Sequence, residues 1–324
     1  MRDQSHLEAV EAFAPATVAN VACGFDVLGF ALAEPGDRVV ARRRQRPGLE
    51  IVAITGDERR LSLELSRNTA GVAAGALVAA LGVRDGIDLM LHKGLPLSSG
   101  LGGSAASAVA AVVAVDALLG GRTSPDVLLR CAIEGERLAS GSAHADNVAP
   151  ALLGGFVLAR TAEPPDIVRL PVPAGLACAV VHPRLEVETA AARRLLGDMV
   201  PLRSAIQQWA NLGALVAGLH QGDLSLIGRA LQDVVAEPKR AVLVPGFGAA
   251  KQAALAAGAL GCSLSGSGPS LFALCDGTAR ALTIARAMQA VLQQETGVEV
   301  DTWVSPVGAA GARAHQVPNP SCAT

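Results

Sequence analysis

The chain has 324 residues, of which 51% are hydrophobic and 2% aromatic, with no tyrosine and a formal net charge of −2. Such a length indicates about two domains around a substantial core. The near-neutral charge and scarce aromatics exclude a general attraction to nucleic acid and the base-stacking platforms of single-strand binders. The longest charge-free stretch, 94–115, contains Pro96 and a Gly/Ser run, which makes a poor membrane span. The first residues carry acids and no apolar core, so no signal peptide is expected. Six scattered cysteines show neither C-x-x-C pairs nor zinc-ligand spacing. A soluble cytoplasmic protein with free thiols and no membrane or nucleic-acid partner is expected.

In chain order, 39–46 and the alternating stretch 49–54 read as a pair of strands. The basic run Arg42-Arg43-Arg44-Gln45-Arg46 reads as a solvated strand end rather than a polyanion site. A helix is expected over 68–81, a strand over 86–92, and helices over 104–119 and 125–138, the last opened by Ser124 and Pro125. Residues 149–159 read as a turn and a strand. Pro164, Pro165, Pro171 and Pro173 then mark a boundary. Beyond it come a strand over 176–182, helices over 187–196, 204–219 and 224–235, a segment over 246–257 left without an assigned type, and strands over 262–264 and 271–275, joined by a turn over 265–269. A helix over 278–294 and a strand over 298–304 follow. Residues after Arg313 are expected to be disordered. Strands and helices in both halves indicate mixed layers of an α+β protein.

The segment richest in chemistry is Pro96-Leu97-Ser98-Ser99-Gly100-Leu101-Gly102-Gly103-Ser104-Ala105-Ala106. A glycine/serine loop running into a helix leaves backbone N–H groups free at the positive end of the helix dipole, where a phosphate is favoured. A loop used only for packing is the alternative. The dinucleotide fingerprint is discarded, because one long Ala/Val helix follows and its only acid, Asp116, lies within it. The P-loop is discarded as well, since no lysine follows the glycines.

Two further segments change the weight of this loop. One is Ala14-Pro-Ala-Thr-Val-Ala-Asn-Val-Ala-Cys-Gly-Phe-Asp-Val-Leu-Gly29, and the other is Gly261-Cys-Ser-Leu-Ser-Gly-Ser-Gly-Pro-Ser270. In this order the three resemble the motifs of the galactokinase, homoserine kinase, mevalonate kinase and phosphomevalonate kinase (GHMP) superfamily, and their wording is most similar to that of the homoserine kinases. The resemblance covers residues 12–313. Gly103 departs from it by replacing the first of two loop serines, as do Val18 and Ala22-Cys23 in the first motif. Mevalonate-type relatives carry a lysine where this chain has Thr17.

The resemblance implies a two-domain GHMP kinase fold. An ATP-binding, ribosomal-protein-S5-domain-2-like unit would span 1–163, and a ferredoxin-like α/β sandwich 164–313. It implies ATP on residues 96–106, with Asn68 against the adenosine, and Mg²⁺ on Ser104 and Glu136. Asn20 and Asp26 would hold the substrate ammonium, and Arg193 and Arg240 its carboxylate. His144 and Thr189 would complete the substrate pocket, with Asp146 and Asn147 facing the reacting hydroxyl. A helix N-terminus contributes only about 0.3–2 kcal/mol, whereas micromolar ATP binding needs about 8 kcal/mol. A metal and a base pocket are therefore required as well.

The implied activity is ATP-dependent phosphorylation of the L-homoserine hydroxyl to O-phospho-L-homoserine, a step of threonine biosynthesis, by a homodimer. In-line phosphoryl transfer depends on positioning and charge stabilisation, so Asp146 is expected to position substrate rather than act as an obligatory base. Two alternatives stay open. One is a kinase of the same superfamily for shikimate or a mevalonate derivative, and the other a non-catalytic nucleotide- and metabolite-binding regulator.

Overall fold

The structure, a computed structural model, describes residues 7–141 and 144–318. The chain runs β1 (Ala9–Ala19), β2 (Leu28–Arg44), β3 (Gly48–Thr55), α1 (Thr69–Leu81), β4 (Gly86–His92), α2 (Gly103–Leu118), α3 (Pro125–Ser140), α4 (Ala145–Leu153), β5 (Phe156–Ala162) and β6 (Pro165–Leu170). It continues through β7 (Leu176–Pro183), α5 (Thr189–Arg194), α6 (Leu202–Gln221), α7 (Leu224–Ala230), α8 (Glu237–Arg240), α9 (Phe247–Ala256), β8 (Gly261–Leu264), β9 (Leu271–Asp276), α10 (Thr278–Thr296), β10 (Val300–Pro306) and β11 (Arg313–Gln316).

The first sheet has the order β11-β1-β2-β4-β3, with β5 on β2 and β6 on β5. The strands expected to pair over 39–54 therefore do not pair: β4 lies between them, antiparallel to β2 and parallel to β3. A local loop cannot specify that order, because β4 arrives from beyond α1. The basic run sits at the end of β2, where Arg42 meets Asp88 at 2.7 Å, Arg43 meets Asp85 at 3.0 Å and Arg44 pairs with Glu50. These arginines are partly covered and paired with acids of β3, β4 and the loop before β4, so the strand end is less solvated than expected but holds no free basic cluster among the described residues.

Two expectations near the proline-rich segment and the tail need revision. Residues 313–316, the first of them the expected limit of order, form β11 against Val10–Phe13 of β1. The outer backbone groups of β1, which would form the sheet edge without β11, supply the partner that short polar sequence alone did not advertise. The 163/164 boundary falls inside the β5–β6 hairpin, so the change of sheet lies between Leu170 and Leu176.

The second sheet is antiparallel, in the order β10-β7-β9-β8. On β7, Ala177, Ala179 and Val181 face a core built with α9 and α10, through Phe247, Ala250, Ile284 and Met288. The alternate residues Cys178 and Val180 face the main core, which also holds Leu215 of α6 and Ile227 of α7. This two-residue alternation lets one strand serve two layers. Phe30 of β2 meets Phe156 of β5 at 5.4 Å and Phe272 of β9 edge-on at 6.3 Å, joining both sheets in one core.

Helix α2 is buried along almost its whole length because alanine and valine present no polar face. It lies between the first sheet and α1 and α3. A Cβ on Gly135 of α3 would come within 2.5 Å of Thr69 O and 3.0 Å of Ala73 and Ala108. Glycine and alanine at that crossing let α1, α2 and α3 approach closely, which brings the residue after Gly135 to the start of α2.

Candidate active site

The glycine loop reaches α2 through left-handed residues at Ser98, Gly100 and Gly102 (φ 53°, 78° and 69°). Gly102 is the N-cap and offers no side-chain cap, so the first-turn N–H groups of α2 have no intrahelical acceptor and are left to the cleft that Gly102, Gly103 and Ser104 line. A Cβ at Gly102 would sit 2.2 Å from Thr17 Oγ1 and 2.7 Å from Asn147 Oδ1, which explains glycine at that position.

All three motifs meet at this loop. Thr17 N donates to Leu101 O (3.1 Å), Ser270 N to Ser99 O (3.2 Å) and Gly266 N to Ala19 O (3.2 Å). The Ser265 hydroxyl donates to Gly100 O (2.8 Å). Beneath the loop lies a buried device that sequence reading missed. Lys93 pairs with Asp37 and donates to Gly103 O and Ser107 Oγ, both at 2.9 Å. Asp37 in turn accepts from the N–H groups of Gly94 and Leu95 and from Ser107 Oγ. Lys93 is one of only three lysines and stands just before the loop, which was the available signal, but its partner is remote in sequence.

Ser104 Oγ donates to Glu136 Oε2 at 2.6 Å. Glu136 is buried, and that burial pushes its carboxyl up to about 7 against the opposing Ser104 hydrogen bond. Asp146 and Asn147 lie on α4, a helix where a turn was expected. Pro150 inside it and Gly154 behind it read as breakers, but burial of Val148, Ala149 and Ala151 against the sheet outweighs local propensity. Pro150 cannot bond to the Asp146 carbonyl, which instead points at Gly29, where a Cβ would be 1.8 Å away.

Asn147 Oδ1 accepts from Thr17 Oγ1 at 2.7 Å. Asp146 Oδ1 is buried without a hydrogen-bond partner among the described residues. Burial first, then the charges of Asp26 and Glu136, raise the Asp146 carboxyl to about 8. A buried polar oxygen left unpaired is costly, and this cost is consistent with a carboxyl held in its neutral form.

The opposite end of the cleft is a knot of charge. Arg193 Nη2 donates to both Asp26 oxygens at 2.9 Å and lies 3.1 Å from His144 Nε2. Arginine has no acceptor, so His144 Nε2 accepts and the ring is neutral there. Its pKa is pushed down by burial, with Arg193 and Arg240 adding to the fall and Asp26 opposing it. Asn20 Nδ2 donates to Gly266 O at 2.8 Å, and Asn20 Oδ1 accepts from Asp26 N at 3.0 Å. Arg240, 3% exposed, donates to the same Gly266 O at 3.1 Å. It is set by Asp233, whose carboxylate takes the N–H groups that open α8. Phe25, another residue missed in the sequence, lies 5.6 Å from the Arg193 guanidinium and 5.0 Å from that of Arg240. Thr189 Oγ1 is 3.5 Å from Ser267 Oγ.

A single cleft of about 530 Å³ is lined by Pro96–Gly100, Gly102–Ser104, Glu136, Asn20, Asp26, His144, Asp146, Asn147, Thr189, Arg193 and Arg240. Leu101, Ala105 and Ala106 are buried behind it. Asn68 stands apart. Its Oδ1 caps α1 by accepting from Ala70 N and Gly71 N, and its Nδ2 donates to Ser62 O, so the side chain is engaged in the fold. No helix among the described residues is long and apolar enough to cross a membrane.

The family model of the GHMP kinases N terminal domain matches residues 68–155, and that of the GHMP kinases C terminal matches 215–294. The chain is 50% identical over 318 residues to a homoserine kinase of Chlorobium phaeobacteroides, covering 95% of this chain and 99% of the relative. It is 47% identical over 307 residues to a homoserine kinase of Xanthomonas campestris pv. campestris, covering 95% and 94%. The crystal structure of homoserine kinase from Cytophaga hutchinsonii superposes with a TM-score of 0.94 at 50% identity, over 97% of this chain and 100% of that one. The L. major mevalonate kinase solved with R-mevalonate, 18% identical with a TM-score of 0.70 over 92% and 96%, shares the fold. With two family domains in order and half-identical relatives along nearly its full length, the chain belongs to the GHMP kinases.

Proposed function

We propose that this chain transfers the γ-phosphoryl group of ATP to the side-chain hydroxyl of L-homoserine, giving O-phospho-L-homoserine for threonine biosynthesis. The observation that carries the reading is the shared cleft: the capless N-terminus of α2 at one end, the Asp26–Arg193 pair at the other, and the unpartnered Asp146 oxygen among the same lining residues.

Homoserine is a zwitterion, and the Asp26–Arg193 pair is a complementary template for it. The substrate carboxylate takes Arg193 and Arg240, the ammonium takes Asp26 and Asn20, and each protein charge leaving its internal partner finds an opposite charge on the substrate. Thr189 and His144 border that pocket. A mevalonate-type acceptor has no ammonium to satisfy Asp26. Asp146 and Asn147 then orient the hydroxyl, with Thr17 fixing the Asn147 amide so that its Nδ2 faces away from Thr17. The proton leaves to a phosphate oxygen or to solvent, because a loose in-line transfer needs placement more than a strong base.

The polyphosphate of ATP lies along residues 96–106, against the N–H groups of the loop between Pro96, which has none, and Ala106, whose N–H donates to Gly102 O, favoured by the α2 dipole. Asn68 supports the adenosine side by holding the start of α1. Ser104 and Glu136 suit Mg²⁺: both are hard oxygen donors beside the loop, and a carboxyl that burial holds near 7 is relieved by a neighbouring dication. Once bound, that ion offsets charge on the phosphoryl oxygens. We further propose a cytoplasmic homodimer. Free, buried cysteines at the five described positions support a reducing compartment, and the dimer rests on the family resemblance.

The test follows ADP release with Mg²⁺ and a panel of homoserine, shikimate, mevalonate and galactose. Release with homoserine alone is expected. Release with another acceptor would reassign the substrate, and nucleotide binding without release would make the chain a regulator.

A further inference from the structure

Four cations line the cleft among the described residues: Arg60, Lys93, Arg193 and Arg240. Three are committed to internal partners. Lys93 is neutralised by Asp37 and saturated by Gly103 O and Ser107 Oγ, Arg193 is held by Asp26, and Arg240 is buried against Gly266 O. Two of these three, Arg193 and Arg240, belong to the acceptor end. The glycine loop thus faces a strongly anionic polyphosphate with backbone dipoles and one buried, already neutralised lysine.

Arg60 differs. Its side chain is 45% exposed, and it is held by an exposed bidentate pair with Glu186, one arm of which measures 2.8 Å. Glu186 adjoins Val187, whose N–H reaches Ser98 O of the glycine loop at 3.5 Å. The pair thus parks a guanidinium beside the loop, across from the chain segment that enters α5. The backbone under Arg60 is also fixed in advance. Buried Asp57 accepts from the N–H groups of Arg59 (3.3 Å) and Leu61 (3.0 Å), and Arg60 N donates to Asp57 O (3.0 Å). Glu58 and Arg59 are both left-handed (φ 54° and 63°), a conformation residues with side chains adopt only when surroundings impose it. Salt and water weaken exposed ion pairs, so Glu186 is a replaceable partner. A phosphate group offers the same planar fork more charge.

We propose that Arg60 is an exchangeable cation of the nucleotide site, which leaves Glu186 for the polyphosphate of ATP when the nucleotide enters. The assignment rests on the kinase reading above and adds to it a residue outside the three motifs. Glu186 then acts as a competitor built into the fold: it keeps Arg60 in place and weakens nucleotide binding by the same contact.

The decisive feature is a difference of sign between the two partners. Equilibrium binding of the imido analogue of ATP, and separately of adenosine, is measured on the full chain with Mg²⁺. Arg60→Ala should weaken analogue binding about 10-fold, the loss expected of one charge-assisted contact, and leave adenosine binding unchanged. Arg60→Lys should restore part of that loss. Glu186→Gln should tighten analogue binding by about 3-fold, because it frees Arg60. Arg184→Ala, which removes an exposed arginine paired with Asp301 outside the cleft, should change neither ligand. Equal weakening by Arg60→Ala and Glu186→Gln would show that the pair merely braces the loop, and would overturn the proposal. No change in either variant would do the same. If the unmodified chain bound neither ligand, the kinase reading itself would fall, a result distinct from both.

Discussion

The two ends of the cleft are built from different materials. At the end proposed for the nucleotide the available groups are the main chain of the glycine loop and the capless first turn of α2, and the buried Lys93 is paired with Asp37. At the end proposed for the acceptor they are side chains, namely Asp26, Arg193, Arg240 and Asp146, of which Asp26 and Arg193 are paired and Asp146 Oδ1 is left without a hydrogen bond. A phosphate chain is the same in every ATP-using enzyme, so backbone geometry can give it a general seat, to which a metal and a base pocket add the remaining affinity. A particular small alcohol must be told from others, and that takes side-chain charges at fixed positions. Substitutions should therefore split by end: acceptor affinity follows the charged side chains of its pocket, and nucleotide affinity follows loop conformation, with Arg60 as its one proposed side-chain contribution.

The largest effect is expected where the two ends meet. Glu136→Ala should lower kcat by about 10²–10³-fold, the range for losing one preorganised electrostatic group in phosphoryl or acyl transfer, with the fold retained by far-UV circular dichroism. A residual rate within a few-fold of the unmodified chain would remove Glu136 from the mechanism. Next come Arg193→Met and Arg240→Met. Each should raise KM for homoserine by about 10–100-fold while KM for ATP stays within about 2-fold. Parallel rises in both constants would erase the division between the ends.

Asp146 provides a test by stability. Its carboxyl titrates at about 8 in the folded chain against 3.8 for the free group, so folding holds a proton that the unfolded chain releases. The unfolded state binds fewer protons between those values, and stability from this group is full below pH 4 and lost as pH rises towards 8. Asp146→Asn cannot pay that cost, so its Tm should exceed that of the unmodified chain by about 5 °C at pH 8, with the gap closing towards pH 4. Its turnover should fall without a steep dependence on pH near neutrality. A lower Tm at pH 8 would mean that the carboxylate is satisfied in the free protein. The smallest effect is expected from Gly103→Ser, which introduces the family serine. A Cβ there lies 3.5 Å from Lys93 Nζ, an ordinary contact, and kcat/KM should change by less than about 3-fold.

The sequence discloses the nucleotide end more readily than its supports. Glycines and serines before an Ala/Val helix have a local cause for their pattern, so the loop and α2 are readable within a few residues. The Lys93–Asp37 pair has no such cause: two single charges far apart in sequence meet only because β2 and β4 are neighbours. For the same reason the β2-β4-β3 order escapes a reading that pairs consecutive strands. Helix α4 is hidden by Pro150 and Gly154, although the residues it carries are named by the motif resemblance. Arg60 lies outside every motif, and only the position of Glu186 beside the loop reveals it.

The pairing of β11 with β1 carries a consequence for how the molecule comes into being. Residues 10–13 cannot gain their outer neighbour until residues 313–316 have left the ribosome, so a nascent chain exposes one border of its first sheet throughout translation. Truncation before residue 313 would leave that border permanently open to other copies, and loss of solubility should precede loss of catalytic competence.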